Sequence, residues 1–278
     1  MLVNSIALLN ESRASQKCIA AFNTYNLETV QAALKASAKA QVPVIIAFGE
    51  GYLKHMPLKA VVALVKALAE HHPQTVVLHL DHAKEMETVI AAIEAGFTSV
   101  MYDGSHLSLE ENIKNTASIV SLAHAKGVSV EGELGGMNPE DGSEVEEPSH
   151  FAFTDPDQAL QFVTETGVDS LAIVIGNAHG LYKGTPMLDI ERLEAIERIV
   201  KIPLVLHGSS GLSEEQLQTA IAHGVAKINV NTEIAMTGAK SIREMLETSP
   251  NNMRLEKLML HAEEAMAVAM QAFLKYAR

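Results

Sequence analysis

The sequence predicts an α/β protein of the (β/α)8 TIM-barrel class. Three features point there: eight short apolar, β-rich runs, segments of helical period between them, and glycines that close several of those segments. The runs cover 19–23, 43–48, 75–82, 99–105, 129–135, 170–177, 203–210 and 227–233. Each is nearly continuous in apolar residues, as befits a strand of a parallel sheet buried on both faces. The intervening segments 27–40, 58–71, 86–95, 109–126, 155–166, 189–200 and 213–223 repeat apolar residues at helical spacing. In EAGF, AKGV, ETGV and AHGV a glycine separates a helix from the next strand, where a left-handed C-cap is expected. Eight such units in about 230 residues, with no low-complexity linker between them, fit a closed barrel better than an open sheet. Residues 1–278 are therefore expected to form a single domain. Its N-terminal helix lies within 1–17, and a helical extension over 234–278 wraps the barrel or meets a neighbouring subunit.

Composition narrows the function. A chain of 278 residues, 47% hydrophobic and 20% charged, has ample material for a core. A net charge of −13 argues against a nucleic-acid partner, because phosphate-backbone binders concentrate Lys and Arg. It does not exclude a small phosphorylated substrate, which local dipoles can hold against the net field. Cys18 is the one cysteine, so no intrachain disulfide forms and a reducing cytoplasm fits. The N-terminus lacks the basic start and long apolar core of a signal peptide. No run of 18 apolar residues exists to span a membrane.

Three of the runs end in histidine: VVLHLDH at His82, LAIVIGNAHG at His179 and PLVLHGSSG at His207. In a barrel of this class reactive groups sit at the C-terminal ends of the strands. A single histidine there is most often a core residue with its hydrogen bonds satisfied. Three at one barrel end suggest a zinc site, since zinc takes neutral imidazoles and a catalytic zinc keeps one position open. Asp81, beside the first, is placed to donate a proton. His71, His72, His124 and His223 lie near helix ends, away from that face. His79 faces inward one layer below Asp81 by strand alternation and is assigned to the core. Loops after strands seven and eight often cradle phosphate. Here they are Gly208-Ser209-Ser210-Gly211 and Asn229-Val230-Asn231-Thr232. One Gly-Ser-Ser-Gly is usually just a turn. Two adjacent polar loops of small residues give backbone N–H groups access to an anion.

The motifs LHLDH, GNAHG, LHGSSG and KINVNTE together resemble the class II, zinc-dependent ketose-bisphosphate aldolases, most closely the fructose- and tagatose-bisphosphate branch. From AFNTYNLET through NVNTE, the resemblance covers nearly the whole chain. It implies a lyase of carbohydrate metabolism that reversibly cleaves a ketose 1-phosphate or 1,6-bisphosphate through a metal-stabilised enediolate. The products are dihydroxyacetone phosphate and an aldehyde such as glyceraldehyde 3-phosphate, and the assembly is a homodimer or homotetramer. In that family the matching His82, His179 and His207 hold Zn2+. Asp81 matches the proton donor to the aldehyde oxygen, the alternative being a carboxylate that orients His82. Gly180 and Lys183 match further phosphate contacts, although Lys183 also reads as a solvated loop lysine. Asp103 and Glu133 match positions where the family can hold a second divalent or monovalent cation. Otherwise they are structural carboxylates. Glu131 shares a strand face with Glu133 and is given no catalytic role.

The chain departs from the family pattern in two places. Relatives carry a glycine pair before the Glu-Asp of a loop whose glutamate moves the substrate proton, whereas 135–147 reads GGMNPEDGSEVEE. Glu140 is the candidate shuttle, against the ordinary reading of a solvated, charge-rich loop. Near the C-terminus the family's Asp-Pro-Arg is replaced by SPNNMRLEKLML, leaving Arg254 as the candidate for the distal phosphate. An aldehyde half that is unphosphorylated or longer therefore stays open as an alternative. Three rivals fare worse. A Schiff-base aldolase needs a buried strand lysine, but strand six has none and Lys227 is expected to open strand eight, at the wrong end. A metal hydrolase needs a His-x-His that IAAFN on strand one lacks. A non-catalytic partner subunit leaves the ligands and phosphate loops without a use.

Overall fold

Eight parallel strands close on themselves in sequence order in the computed structural model, which describes residues 2–136, 153–180, 182, 186–248 and 254–278. They are β1 (Ile19–Asn23), β2 (Val44–Gly49), β3 (Val76–Ala83), β4 (Ser99–Tyr102), β5 (Ser129–Leu134), β6 (Ser170–Ile173), β7 (Leu204–Leu206) and β8 (Val225–Val230). The barrel is sealed where β8 pairs with β1. Every strand residue is buried except His82, as expected of strands covered by side chains within and helices without.

Ten helices surround this barrel: α1 (Ile6–Ala14), α2 (Leu27–Ala40), α3 (Leu58–Ala69), α4 (Met86–Ala95), α5 (Leu109–His124), α6 (Pro156–Thr166), α7 (Ile190–Ile199), α8 (Glu214–Ala222), α9 (Thr232–Thr248) and α10 (Leu255–Leu274), counted among the described residues. Their ends follow from local chemistry. Asn26 and Thr29 exchange side-chain and backbone hydrogen bonds in a capping box at the start of α2, and Ser213 and Gln216 do the same for α8. The Asp155 carboxylate accepts from the N–H groups of Asp157 and Gln158, with Pro156 in the first turn of α6. Gly96 and Gly167 end α4 and α6 at φ +107° and +70°, a conformation that glycine adopts without strain. Among the described residues no helix is long and apolar enough to cross a membrane.

Four strands depart by more than one residue from the sequence expectation, β4 among them, which ends at Tyr102 rather than at 105. β6 stops at Ile173 because the next N–H groups leave the ladder: Val174 donates to Thr154 Oγ1 and Ile175 to Asn177 Oδ1. β7 ends at Leu206, where the Gly208–Gly211 turn begins to fold over the barrel mouth. β8 starts at Val225, so Lys227 lies inside the strand rather than opening it. Thr232 and Glu233 belong to α9, which takes the place of the eighth barrel helix, while α10 packs on α2 and α9.

Most of the apolar core lies between strands and helices. Within the barrel, Leu9 of α1 packs with Ile19, Ala21, Ile45, Ala47, Val77 and Ala226, and Met101, Ala172 and Val205 form a second small group. α6 docks on β5 through the fully buried Phe162, whose ring fills the space a side chain at Gly132 would need. Phe162→Ala should lower the unfolding free energy in urea by about 3–5 kcal/mol, transfer and cavity terms together. A loss under about 1 kcal/mol would show that this contact does not hold the helix.

Candidate active site

Strand alternation would send Asp81 and His82 to opposite faces of β3. The pairing with β4 slips between Leu80 and Ala83, and His82 adopts φ +45°. For a non-glycine residue that conformation costs roughly 1–2 kcal/mol. It brings both side chains to the barrel mouth. Asp81 accepts from Asn23 Nδ2 at 2.7 Å and from Asn229 Nδ2 at 2.9 Å, so β1 and β8 clamp its two oxygens. Burial opposes its charge, but His82, His207 and the Lys227 ammonium together outweigh this and hold the carboxyl below its usual range.

His179 and His207 reach the same place from the segment after β6 and from the end of β7. Asn177 ties those two segments together, donating from Nδ2 to the carbonyls of Ile173 and His207, both at 3.2 Å. The His82 ring centroid lies 4.8 Å from that of His179 and 4.4 Å from that of His207, and the latter two are 6.0 Å apart. One ligating nitrogen from each of the three lies within 4.8 Å of the others. Burial pushes His179 down to about 3 and His207 well below the ordinary imidazole value, so both rings are neutral near pH 7. Neutral imidazole is the form that binds a metal. His207 Nε2 donates to Glu131 Oε1 at 2.9 Å, while its buried Nδ1 has no hydrogen-bond partner among the described residues. The donor set and that spare nitrogen suit a cation such as zinc.

A second group of candidate ligands shares His82. Its Nδ1 lies 3.2 Å from Asp103 Oδ2 and 3.6 Å from Glu133 Oε2. Burial disfavours charge on Asp103, but hydrogen bonds from His82 and Ser105 reverse the balance and keep its carboxyl low. Glu133 goes the other way: burial first, then the neighbouring Asp103, raises its carboxyl well above the usual value.

Beside the histidines, the β7–α8 and β8–α9 loops form a small, narrow cleft with Asn23, His179, Gly180, Gly208, Ser210, Asn229, Asn231 and Thr232 on its walls. Gly208 has φ +61°, and any side chain there would strike the backbone of Ala178. Tyr182 ties the segment after β6 to the β7–α8 loop, donating its hydroxyl to the Gly208 carbonyl at 2.8 Å and accepting from the Ala178 N–H at 2.9 Å. The Ser209 N–H donates to the Asn229 carbonyl, and Ser210 Oγ accepts from the Glu233 N–H at the start of α9. Asn231 donates to the Tyr52 hydroxyl at 3.1 Å. Val230 is buried within β8 and does not line the cleft. The N-terminus of α9 brings its partial positive charge to this corner.

Glu140 and Lys183 lie outside the described residues. Arg254 stands at the N-cap of α10 with its side chain 74% exposed, 3.5 Å from Glu256. The structure also brings in residues that sequence reasoning left out. Asn23 was legible as a polar residue closing the first strand. Glu131, given no role, contacts His207, and its period-two spacing from Glu133 was the available signal. Lys227 was misplaced: its ammonium lies 3.0 Å and 2.8 Å from the two Glu131 oxygens, inside the barrel. That engagement, rather than a position at the wrong strand end, is the argument against its acting as a Schiff-base amine.

A family profile described as class-II fructose-bisphosphate aldolase matches residues 3–278. A probable fructose-bisphosphate aldolase of Bacillus subtilis (strain 168) is 42% identical over 267 residues, covering 95% of this chain and 93% of that one. The fructose-bisphosphate aldolase of Geobacillus stearothermophilus is 44% identical over 253 residues, covering 90% and 88%. Among solved structures, the YdjI aldolase from Escherichia coli K12 superposes with a TM-score of 0.88 at 33% identity, covering 100% of this chain and 97% of that one. A putative fructose-1,6-biphosphate aldolase from Coccidioides immitis gives 0.87 at 29% identity, covering 99% and 96%.

The buried groups set a sign for the acid response of the metal-free protein. Burial holds His79 at about 4 and His179 at about 3, with His207 also low, against an ordinary 6.5. Below about pH 6.5 the unfolded chain takes up three protons that the folded one refuses. Glu133 opposes them, because its folded carboxyl keeps a proton that the unfolded chain releases above 4.5. These imidazoles, joined by His72, which burial also lowers, outweigh the single carboxyl and favour unfolding, so the thermal midpoint should fall as pH is lowered from 6.5 to 4.5. A midpoint that holds or rises across that window would contradict the burial of these imidazoles as neutral groups.

Proposed function

The chain belongs to the class II fructose-bisphosphate aldolase family and is an aldolase, a carbon–carbon lyase; from that premise we propose that it cleaves a ketose 1-phosphate or 1,6-bisphosphate reversibly. The products are dihydroxyacetone phosphate and an aldehyde such as glyceraldehyde 3-phosphate. The observation that carries this is the convergence of His82, His179 and His207 beside Asp81 and next to a cleft suited to an anion. We assign Zn2+ to the three histidines, and a second cation to Asp103 and Glu133. When bound, zinc supplies a Lewis acid that draws charge from the substrate's ketone oxygen as the neighbouring carbon loses a proton.

The chain's own groups do the rest. In cleavage, Asp81 takes the proton of the hydroxyl that becomes the aldehyde oxygen, and in condensation it returns one. Its depressed pKa favours the ionised form that accepts, and Asn23 and Asn229 fix the direction of its lone pairs. The N–H groups and hydroxyls of Gly180, Gly208, Ser210, Asn231 and Thr232 hold the phosphate, with the start of α9 adding its dipole, while Ser209, whose N–H and hydroxyl already donate to the Asn229 and Leu206 carbonyls, braces the loop behind them. Glu140 is the candidate for moving the carbon-bound proton, Lys183 for a further phosphate contact and Arg254 for the distal phosphate. The missing Asp-Pro before Arg254 favours a second reading, in which the aldehyde half carries no phosphate. The enzyme is assigned to the cytoplasm as a homodimer or homotetramer.

His179→Ala should reduce zinc from one ion per chain to none and abolish turnover, measured by metal analysis and a coupled cleavage assay. An active, metal-free variant would remove the ligand assignment. Asp81→Asn should keep zinc and bind dihydroxyacetone phosphate, yet slow cleavage by about 10²–10⁴-fold. Turnover at the wild-type rate would exclude Asp81 from proton transfer. Incubating the zinc-loaded enzyme with dihydroxyacetone phosphate and a panel of aldehydes should identify the second half. Equal rates with phosphorylated and unphosphorylated aldehydes would favour the second reading.

A further inference from the structure

Beneath the three imidazoles, the barrel holds charge where such barrels usually hold branched aliphatic side chains. Glu131, Lys227 and His79 are each only 1% exposed. The Lys227 ammonium lies against both oxygens of Glu131 and 3.4 Å from His79 Nε2, whose Nδ1 is in turn 2.8 Å from Ser99 Oγ. Nothing in the chemistry above uses Lys227 or Glu131. A buried ion pair of this kind is a poor stabiliser, because desolvation consumes most of the Coulombic gain, and apolar side chains of similar volume fill such space as well or better. What the pair does have is a third member: Glu131 Oε1 also accepts from His207 Nε2 at 2.9 Å.

A neutral imidazole has one N–H and one lone pair, and a carboxylate can only accept. A carboxylate at Nε2 therefore selects the tautomer with its proton there and its lone pair on Nδ1. In His207, Nδ1 is the buried nitrogen without a hydrogen-bond partner among the described residues. The geometry points to Glu131 and Lys227 as positioning residues of the metal site: Glu131 fixes the tautomer and orientation of His207 so that Nδ1 faces the cation, and Lys227 holds Glu131 in place. The inference rests on the assignment of zinc to His82, His179 and His207. It adds two residues from the interior of β5 and β8 that touch neither metal nor substrate. Outer carboxylates of this kind typically change metal affinity by about 10–100-fold.

Removing either charge alone would strand the other and invite misfolding, so the test uses two charge-neutral pairs. Glu131→Gln/Lys227→Met keeps an acceptor for His207 Nε2, whereas Glu131→Leu/Lys227→Met removes it. Both should fold, as circular dichroism and thermal melting will show, because neutral or apolar replacement of a whole buried pair is tolerated. Zinc affinity is read by chelator competition, and the His207 tautomer by 15N NMR of the zinc-free proteins. The Gln variant should keep the Nε2–H tautomer and bind zinc within about threefold of the parent, and the Leu variant should lose that tautomer and bind about 10–100-fold more weakly. Equal weakening in both variants would reduce the pair to a structural role and overturn the proposal. So would parental affinity in the Leu variant while His179→Ala abolishes zinc uptake, a result that leaves the ligand assignment standing. Zinc uptake that survives His179→Ala would instead remove the ligand set itself, and this proposal with it.

Discussion

At the end of β3 the chain has to present two neighbouring side chains, Asp81 and His82, to one cavity, which the pleat of an ideal strand forbids. The local solution is a slip in pairing with β4 and a left-handed backbone at His82. A bend of that kind persists only where its surroundings over-determine it. Here Asn23 and Asn229 hold Asp81 from both sides, and Asp103 and Glu133 flank the His82 ring. Barrel closure supplies the remaining geometry. β3 and β7 are not neighbours in the sheet, yet His82 and His207 stand ring to ring because the mouth is narrow.

The electrostatics of the mouth follow from that crowding. Asp81, Asp103, Glu131 and Glu133 are all buried, and Lys227 is the one buried ammonium among the described residues. In so dry a place charges persist only when paired or hydrogen-bonded, and unpaired groups shift toward neutrality. The site shows each response. Asp81 and Asp103 stay ionised through their partners, burial and the neighbouring Asp103 push Glu133 toward its protonated form, and His179 and His207 remain neutral. Neutral imidazoles surrounded by carboxyl groups form an environment that a dication would complete, by balancing the excess negative charge.

The barrel was legible in the sequence because its strands are buried on both faces and its helices carry caps, so apolar runs and turn residues alternate plainly. His82, His179 and His207 were legible because each ends such a run. Strand ends were less so: β6 and β7 stop where Thr154, Asn177 and the Gly208 turn divert the backbone, and those partners are distant or irregular. Lys227 shows the same limit. A lysine at the edge of an apolar run reads as a boundary, and only its pairing with Glu131, 96 positions away, makes it an interior residue. The bond from Glu131 to His207 likewise joins β5 to β7, strands that share no edge.

X-ray absorption at the zinc edge of the loaded enzyme tests the central claim most directly. Convergence of His82, His179 and His207 on one ion predicts three imidazole nitrogens at roughly 2.0–2.1 Å, with the remaining coordination from oxygen. A shell with one imidazole or none, dominated by carboxylate oxygen, would contradict it and move the metal to the Asp103 and Glu133 side of the mouth.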